Sequence, residues 1–178
     1  AGLARLAFQL TIPTECSGQQ VLYRPSRDKH WLWKLFEKAV AGFYRVVLGK
    51  DGWWVQAQSL QRWPVTAQSN GMATLLPQMV PDLILDNPEG DRRIVLDTKF
   101  KSPLSPSRFG EPNLESSDLY QLYTYLRTQE ANEGSRSVQA EGLLLYPAVG
   151  QDLDEWVDLQ DGHRLRVATV DLGAEMGV

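Results

Sequence analysis

At 178 residues, 43% of them hydrophobic, the chain is long enough to bury one sizeable core and short for two, so a single domain is expected. The 22% charged content excludes a disordered class, and the one cysteine, Cys16, excludes an internal disulfide or a thiolate metal cluster and points to a reducing, cytoplasmic compartment. A net charge of −4 argues against a general nucleic-acid coat protein, and no apolar stretch approaches the roughly 20 residues of a membrane span.

The opening AGLARLAFQL reads like the tail of an apolar helix, so residues 1–28 are expected to be the remnant of an amino-terminal region ahead of a domain over 29–178. From Asp28, which suits an N-cap, a helix is expected to run to Gly49, with Leu32, Leu35, Phe36, Ala39, Val40, Phe43 and Val47 as its apolar stripe. GWWVQAQS (52–59) reads as a strand and 61–71 as loop. Strands are expected over 78–85 and 92–101, joined by the turn Asn87-Pro88-Glu89-Gly90-Asp91. The stretch 102–113 carries three prolines and is expected to be loop. A second helix starts at about Glu115 and stops at Gly134; AEGLLLYP (140–147) suits a buried central strand; WVDLQ and RLRVATVDL flank Asp161-Gly162 as a closing hairpin. Helix, three strands, helix and further strands make a mixed α/β layout, a central mixed sheet flanked by helices rather than a doubly wound fold.

The informative stretch is MVPDLILDNPEGDRRIVLDTKFK. Side chains alternate along a strand, so Asp97, Lys99 and Lys101 share one face. Asp82, on the preceding strand, can face Asp97 across the ladder. Two carboxylates and an ammonium then converge, and hard oxygen ligands suit Mg²⁺. A cation there polarises a phosphodiester, Lys99 can offset charge in the transition state, and a carbonyl near Thr98 can add a ligand. By itself a D-x-K on a strand is more often a solvated face with a cross-strand ion pair.

Two further features bear on that choice. Glu37 lies on one flank of the first helix, where it reads either as a site carboxylate or as a surface partner of Lys34 or Lys38. Gln121 and Tyr125, at i and i+4, share a helical face with Asp118; they can hold a metal-associated water or a DNA backbone, or simply pack. His30 and His163, far apart and without cysteine partners, read as solvated loop residues, which sets zinc nucleases aside. Trp53, Trp54 and Trp63 read as core and edge packing rather than a base-stacking platform. There is no G-x-S-x-G elbow and no P-loop.

PDLILD, IVLDTKFK and DLYQLYTY together resemble the PD-(D/E)xK nuclease superfamily, in its subgroup with a Q-x-x-x-Y helix, and LFEKAVAGFY narrows the resemblance to McrC-like nuclease subunits of McrBC modification-dependent restriction systems. The resemblance covers roughly residues 30–147. It implies an αβββαβ restriction-endonuclease-like core and Mg²⁺-dependent cleavage of double-stranded DNA, modified DNA in particular, with Mn²⁺ able to substitute. It implies Asp82, Asp97, Lys99, Glu37 and Gln121 as catalytic residues, with Asp82, Asp97 and Glu37 on the metal and Lys101 and Tyr125 on DNA. It also implies an AAA+ GTPase partner that supplies recognition. Two other readings remain at this point: a RecB-like repair exonuclease, and a non-catalytic module that stimulates an AAA+ partner.

Overall fold

The computed structural model describes residues 27–105, 110–133, 139–150 and 152–173, so the expected amino-terminal remnant, Cys16 and the helix stop at Gly134 lie outside the described residues. Helix α1 (Arg27–Gly49) begins one residue ahead of Asp28, the expected cap. It is followed by β1 (Trp54–Ala57), a single turn α2 (Met72–Leu75), β2 (Leu83–Asp86), β3 (Arg93–Thr98), β4 (Leu104–Ser105), β5 (Asn113–Leu114), α3 (Ser116–Glu133), β6 (Glu141–Pro147), β7 (Asp154–Asp158) and β8 (Arg164–Val170).

Six strands form one mixed sheet in the order β1-β2-β3-β6-β8-β7. The first three pair antiparallel; β6 runs parallel to both β3 and β8, and β7 returns antiparallel on β8. The apolar run LLLY of β6 is buried because it lies at the sheet centre between two parallel neighbours, as its lack of alternation suggested.

The two helices cover opposite faces. On one, Phe36, Val40 and Ala41 of α1 pack on Leu83, Leu85, Leu96, Leu143 and Leu145. On the other, Leu122, Tyr125 and Leu126 of α3 pack on Val95, Leu144 and Tyr146. Gly142 sets the distance of the second helix from the sheet, since a Cβ there would stand 2.8 Å from Leu122 Cδ2. That close seating brings α3 side chains within reach of the carboxyl end of β3.

Several sequence expectations are corrected. The buried seam of α1 follows Leu32, Phe36, Val40 and then Tyr44 and Leu48 at four-residue steps, which leaves Ala39, Phe43 and Val47 exposed. A ridge of i+4 residues is inclined to the helix axis, so the seam drifts away from a strict 3.6-residue stripe. The strand expected over 78–85 starts only at Leu83: Pro81 has no N–H to donate, and upstream of it there is a single bridge between Gln61 and Met79. β3 likewise ends at Thr98, although Lys99 N still donates to Leu145 O at 2.9 Å. The expected loop 102–113 contains the short β4–β5 ladder. His163 is fully buried, not solvated: Nδ1 meets Ala140 O at 2.9 Å and Nε2 meets Glu130 Oε1 at 2.6 Å, tying the β7–β8 turn to α3. His30 is exposed but helical. Trp53 packs on the α1 core and Trp63 donates to Pro77 O, whereas Trp54 stands 70% exposed on the edge strand.

Candidate active site

Asp97 occupies the buried end of β3, on the face shared with Val95 and covered by α3. The β2–β3 register pairs Leu83 with Leu96, and one step further Asp82 comes opposite Asp97. Asp82 therefore sits in the bend just ahead of β2, not within a strand. Both hydrogen bonds from Thr98, N–H at 2.7 Å and Oγ1 at 2.6 Å, end on Asp82 Oδ2. The bend is closed from the other side by Gln58 N, which donates to Asp82 O at 2.9 Å.

Both carboxyls are held above the ordinary carboxylate range. Burial pushes Asp97 up from the ordinary carboxylate range to about 6; Lys99 opposes the shift, and Asp82 and Asp118 add to it. Burial likewise raises Asp82, against the Thr98 hydrogen bonds and with the charge of Glu37. Lys99 Nζ lies 2.8 Å from Asp97 Oδ2, yet that buried oxygen has no aligned hydrogen-bond donor. It is ion-paired without being saturated.

The Lys99 ammonium is aimed by α3. Nζ donates to Gln121 Oε1 at 2.6 Å, Gln121 Nε2 donates to Tyr125 Oη at 3.0 Å, and Tyr125 Oη reaches Val80 O at 3.5 Å. Burial and the Asp97 charge push the Tyr125 phenol up to about 12, so it remains a neutral hydrogen-bonding group. The i, i+4 spacing thus carries an orienting chain running from Tyr125 through Gln121 to Lys99.

Lys101 lies on the same face and faces inward as well: Nζ is 2.8 Å from Asp118 Oδ2 and also pairs with Glu115. Asp118 is buried, accepts from Tyr146 Oη at 2.8 Å and stands 3.8 Å from Lys99 Nζ. Glu37 accepts from Gln58 Nε2 at 2.6 Å and lies 3.8 Å from Lys34. Among the described residues no three Asp, Glu, His or Cys side chains form a group able to hold a metal ion, and Glu37 meets Asp82 by way of Gln58.

Sequence reasoning missed Gln58 and the Thr98 hydroxyl. Gln58 adopts a left-handed φ of +50°, the only non-glycine to do so among the described residues. Its place in an alternating strand pattern gave no signal of that. The Thr98 side chain was legible only in hindsight, as the residue between Asp97 and Lys99. No helix of the described residues is long and apolar enough to cross a membrane.

The family model described as "McrBC 5-methylcytosine restriction system component" matches residues 32–147, a span that contains every residue of this site. The chain is also similar to the type IV methyl-directed restriction enzyme EcoKMcrBC of Escherichia coli (strain K12), 26% identical over 165 residues. That alignment covers 93% of this chain and 45% of the relative, so the chain spans less than half the length of the curated protein it matches.

Proposed function

The chain belongs to the McrBC family of 5-methylcytosine restriction system components, and we propose that it is the McrC-like part that cuts DNA, a divalent-metal-dependent endonuclease centred on Asp82, Asp97 and Lys99. The observation that carries this reading is Asp97 Oδ2: a buried carboxylate oxygen beside an ammonium, without an aligned hydrogen bond, opposite a second desolvated carboxyl. The succession α1, β1, β2, β3, α3, β6 supports a PD-(D/E)xK core.

The residues fit a hard divalent cation. Two carboxylates raised in energy by burial, Asp97 also by the charge of Asp82 and Asp82 by that of Glu37, gain most from a cation between them. Two protein carboxylates are also what Mg²⁺ ordinarily takes, since it keeps several waters and shares its remaining positions with phosphate. Asp82 and Asp97 would hold Mg²⁺ or Mn²⁺, with Glu37 outside them through Gln58. When bound, the cation supplies Lewis-acid polarisation of the phosphodiester and offsets its charge.

The protein's own groups do the rest. Thr98 fixes the Asp82 carboxylate, and Gln121 holds Lys99 beside Asp97, where its ammonium can serve a phosphate oxygen or an attacking water. Tyr125 fixes the Gln121 amide, and Lys101, balanced on Asp118 and Glu115, contributes positive field at the same face. The relative's description as a methyl-directed restriction enzyme favours methylated DNA as the substrate, and the resemblance of the sequence implies an AAA+ GTPase partner that finds it. The test is incubation of the chain with such a partner, GTP, Mg²⁺ and covalently closed methylated plasmid. Linear product is expected; GTP turnover with an intact circle would refute the reading.

A further inference from the structure

We propose that the solvent face of α1 carries the DNA, with Lys34, Lys38 and Arg45 lying along the phosphate backbone that leads into the site. The inference rests on DNA being the substrate. It starts from how the cations are distributed in a chain of net charge −4. Away from α1, cation after cation is held by a carboxylate: Arg93 by Asp86, Lys101 by Glu115 and Asp118, Arg127 by Glu130, and Arg164 and Arg166 by Asp158 and Asp154. Lys38 and Arg45, both exposed, have no carboxylate within 4 Å among the described residues.

At 3.6 residues per turn, positions 34, 38 and 45 fall within about 40° of one another, and the line is roughly 16 Å long. Of the exposed apolar residues of the same helix, Phe43 and Val47 fall on the opposite side and Val46 about 80° or more away, whereas Trp31 flanks the line beside Lys38. The line is anchored at the site. Lys34 stands 3.8 Å from Glu37, and Trp33 Nε1 donates to Thr98 O at 3.5 Å, beside Asp97 and Lys99. Cations not engaged by a carboxylate are free to neutralise phosphates, and polyanionic DNA is the partner whose condensed counterions that neutralisation releases.

The test is Lys38→Ala/Arg45→Ala in the full chain, with Lys34 left in place. Duplex DNA binding is followed by fluorescence anisotropy across a salt series, in an Asp97→Asn background so that no cutting intervenes. The salt slope is expected to fall by about two, and affinity at 0.1 M salt by at least about tenfold, because each lost phosphate contact removes about 0.9 from the slope. An unchanged slope, or no binding by the parent chain, would overturn the assignment, and so would a loss confined to binding an acidic protein partner. Cleavage by the chain with Asp97 intact is scored separately. Binding that depends on α1 without any cleavage sinks the nuclease reading alone, and cleavage with an unchanged slope sinks this one alone.

Discussion

Thr98 donates twice to one oxygen of Asp82, at 2.7 Å from its backbone and 2.6 Å from its hydroxyl, and in doing so locks the bend ahead of β2 to the strand that carries Asp97 and Lys99. Thr98→Val keeps the shape and removes one of the two donors. A hydrogen bond to a charged group contributes about 1.5–3 kcal/mol, so the variant is expected to lose about that much unfolding free energy and to unfold at lower denaturant. It also removes a contact that lowers the Asp82 pKa, so Asp82 should take up its proton at higher pH. Equilibrium urea unfolding checks the first effect, and the acidic limb of the cleavage profile checks the second.

Asp97 makes opposite contributions to stability and to activity. Its folded-state pKa, about 6, lies above the unfolded value of 3.8. Between those values the folded protein binds the extra proton, so stability falls as pH rises from about 4 to 6 and stays lower above that. Asp97→Asn is therefore expected to stabilise the metal-free protein at pH 8, by as much as about 2–3 kcal/mol, with the gain fading near pH 4. Cleavage should vanish in the same variant. Thermal melts at the two pH values, run in chelator, measure the stability effect.

Gln121 acts on Lys99 directly and Tyr125 acts one bond further out. Gln121→Ala is expected to slow single-turnover cleavage about 10–100-fold, the usual cost of losing an orienting partner. Tyr125→Phe should cost less, because it frees the Gln121 amide without removing it. A larger effect from Tyr125→Phe than from Gln121→Ala would contradict the direction of the chain.

Gln58 separates function from folding in a different way. A left-handed backbone costs a non-glycine residue about 1–2 kcal/mol, whereas glycine adopts it freely but costs about 0.5–1 kcal/mol in entropy. Gln58→Gly should leave the thermal midpoint nearly unchanged while releasing Glu37 from its 2.6 Å hydrogen bond. Cleavage is expected to fall, with the larger change in its metal-concentration dependence.

His163 provides the contrast. Its ring is fully buried and bonded at both nitrogens, far along the sheet from Asp97. His163→Ala is expected to destabilise by about 2–4 kcal/mol, leaving Ala140 O and Glu130 without their partner, with cleavage by the folded fraction unchanged. Urea unfolding and cleavage at low temperature test the pair of effects.

The order of helices and strands was legible because α1, β3 and β6 carry strong periodic or continuous apolar patterns, and their boundaries moved by only a few residues. The convergence of Asp82, Asp97 and Lys99 was legible from two-residue alternation and a short turn, and the Gln121–Tyr125 chain from i, i+4 spacing. What escaped was tertiary. The Pro81 break displaced Asp82 from strand to bend, Gln58 turned left-handed where alternation predicted extended chain, and His163 was buried by a hairpin closing on α3. Lys101 could be placed on the right face, but its hold on Asp118 and Glu115 depends on how closely α3 seats over Gly142, which no local pattern encodes.

Cation binding at a shared centre of Asp82 and Asp97 beside Lys99 can be measured without any partner subunit. Electron paramagnetic resonance of free Mn²⁺, titrated against the full chain, should show one saturable class of sites in the unaltered protein. That class should weaken about tenfold or more in Asp97→Asn and in Asp82→Asn, each with an intact thermal transition. Equal Mn²⁺ uptake by the parent and both variants, or none by the parent, would rule that centre out.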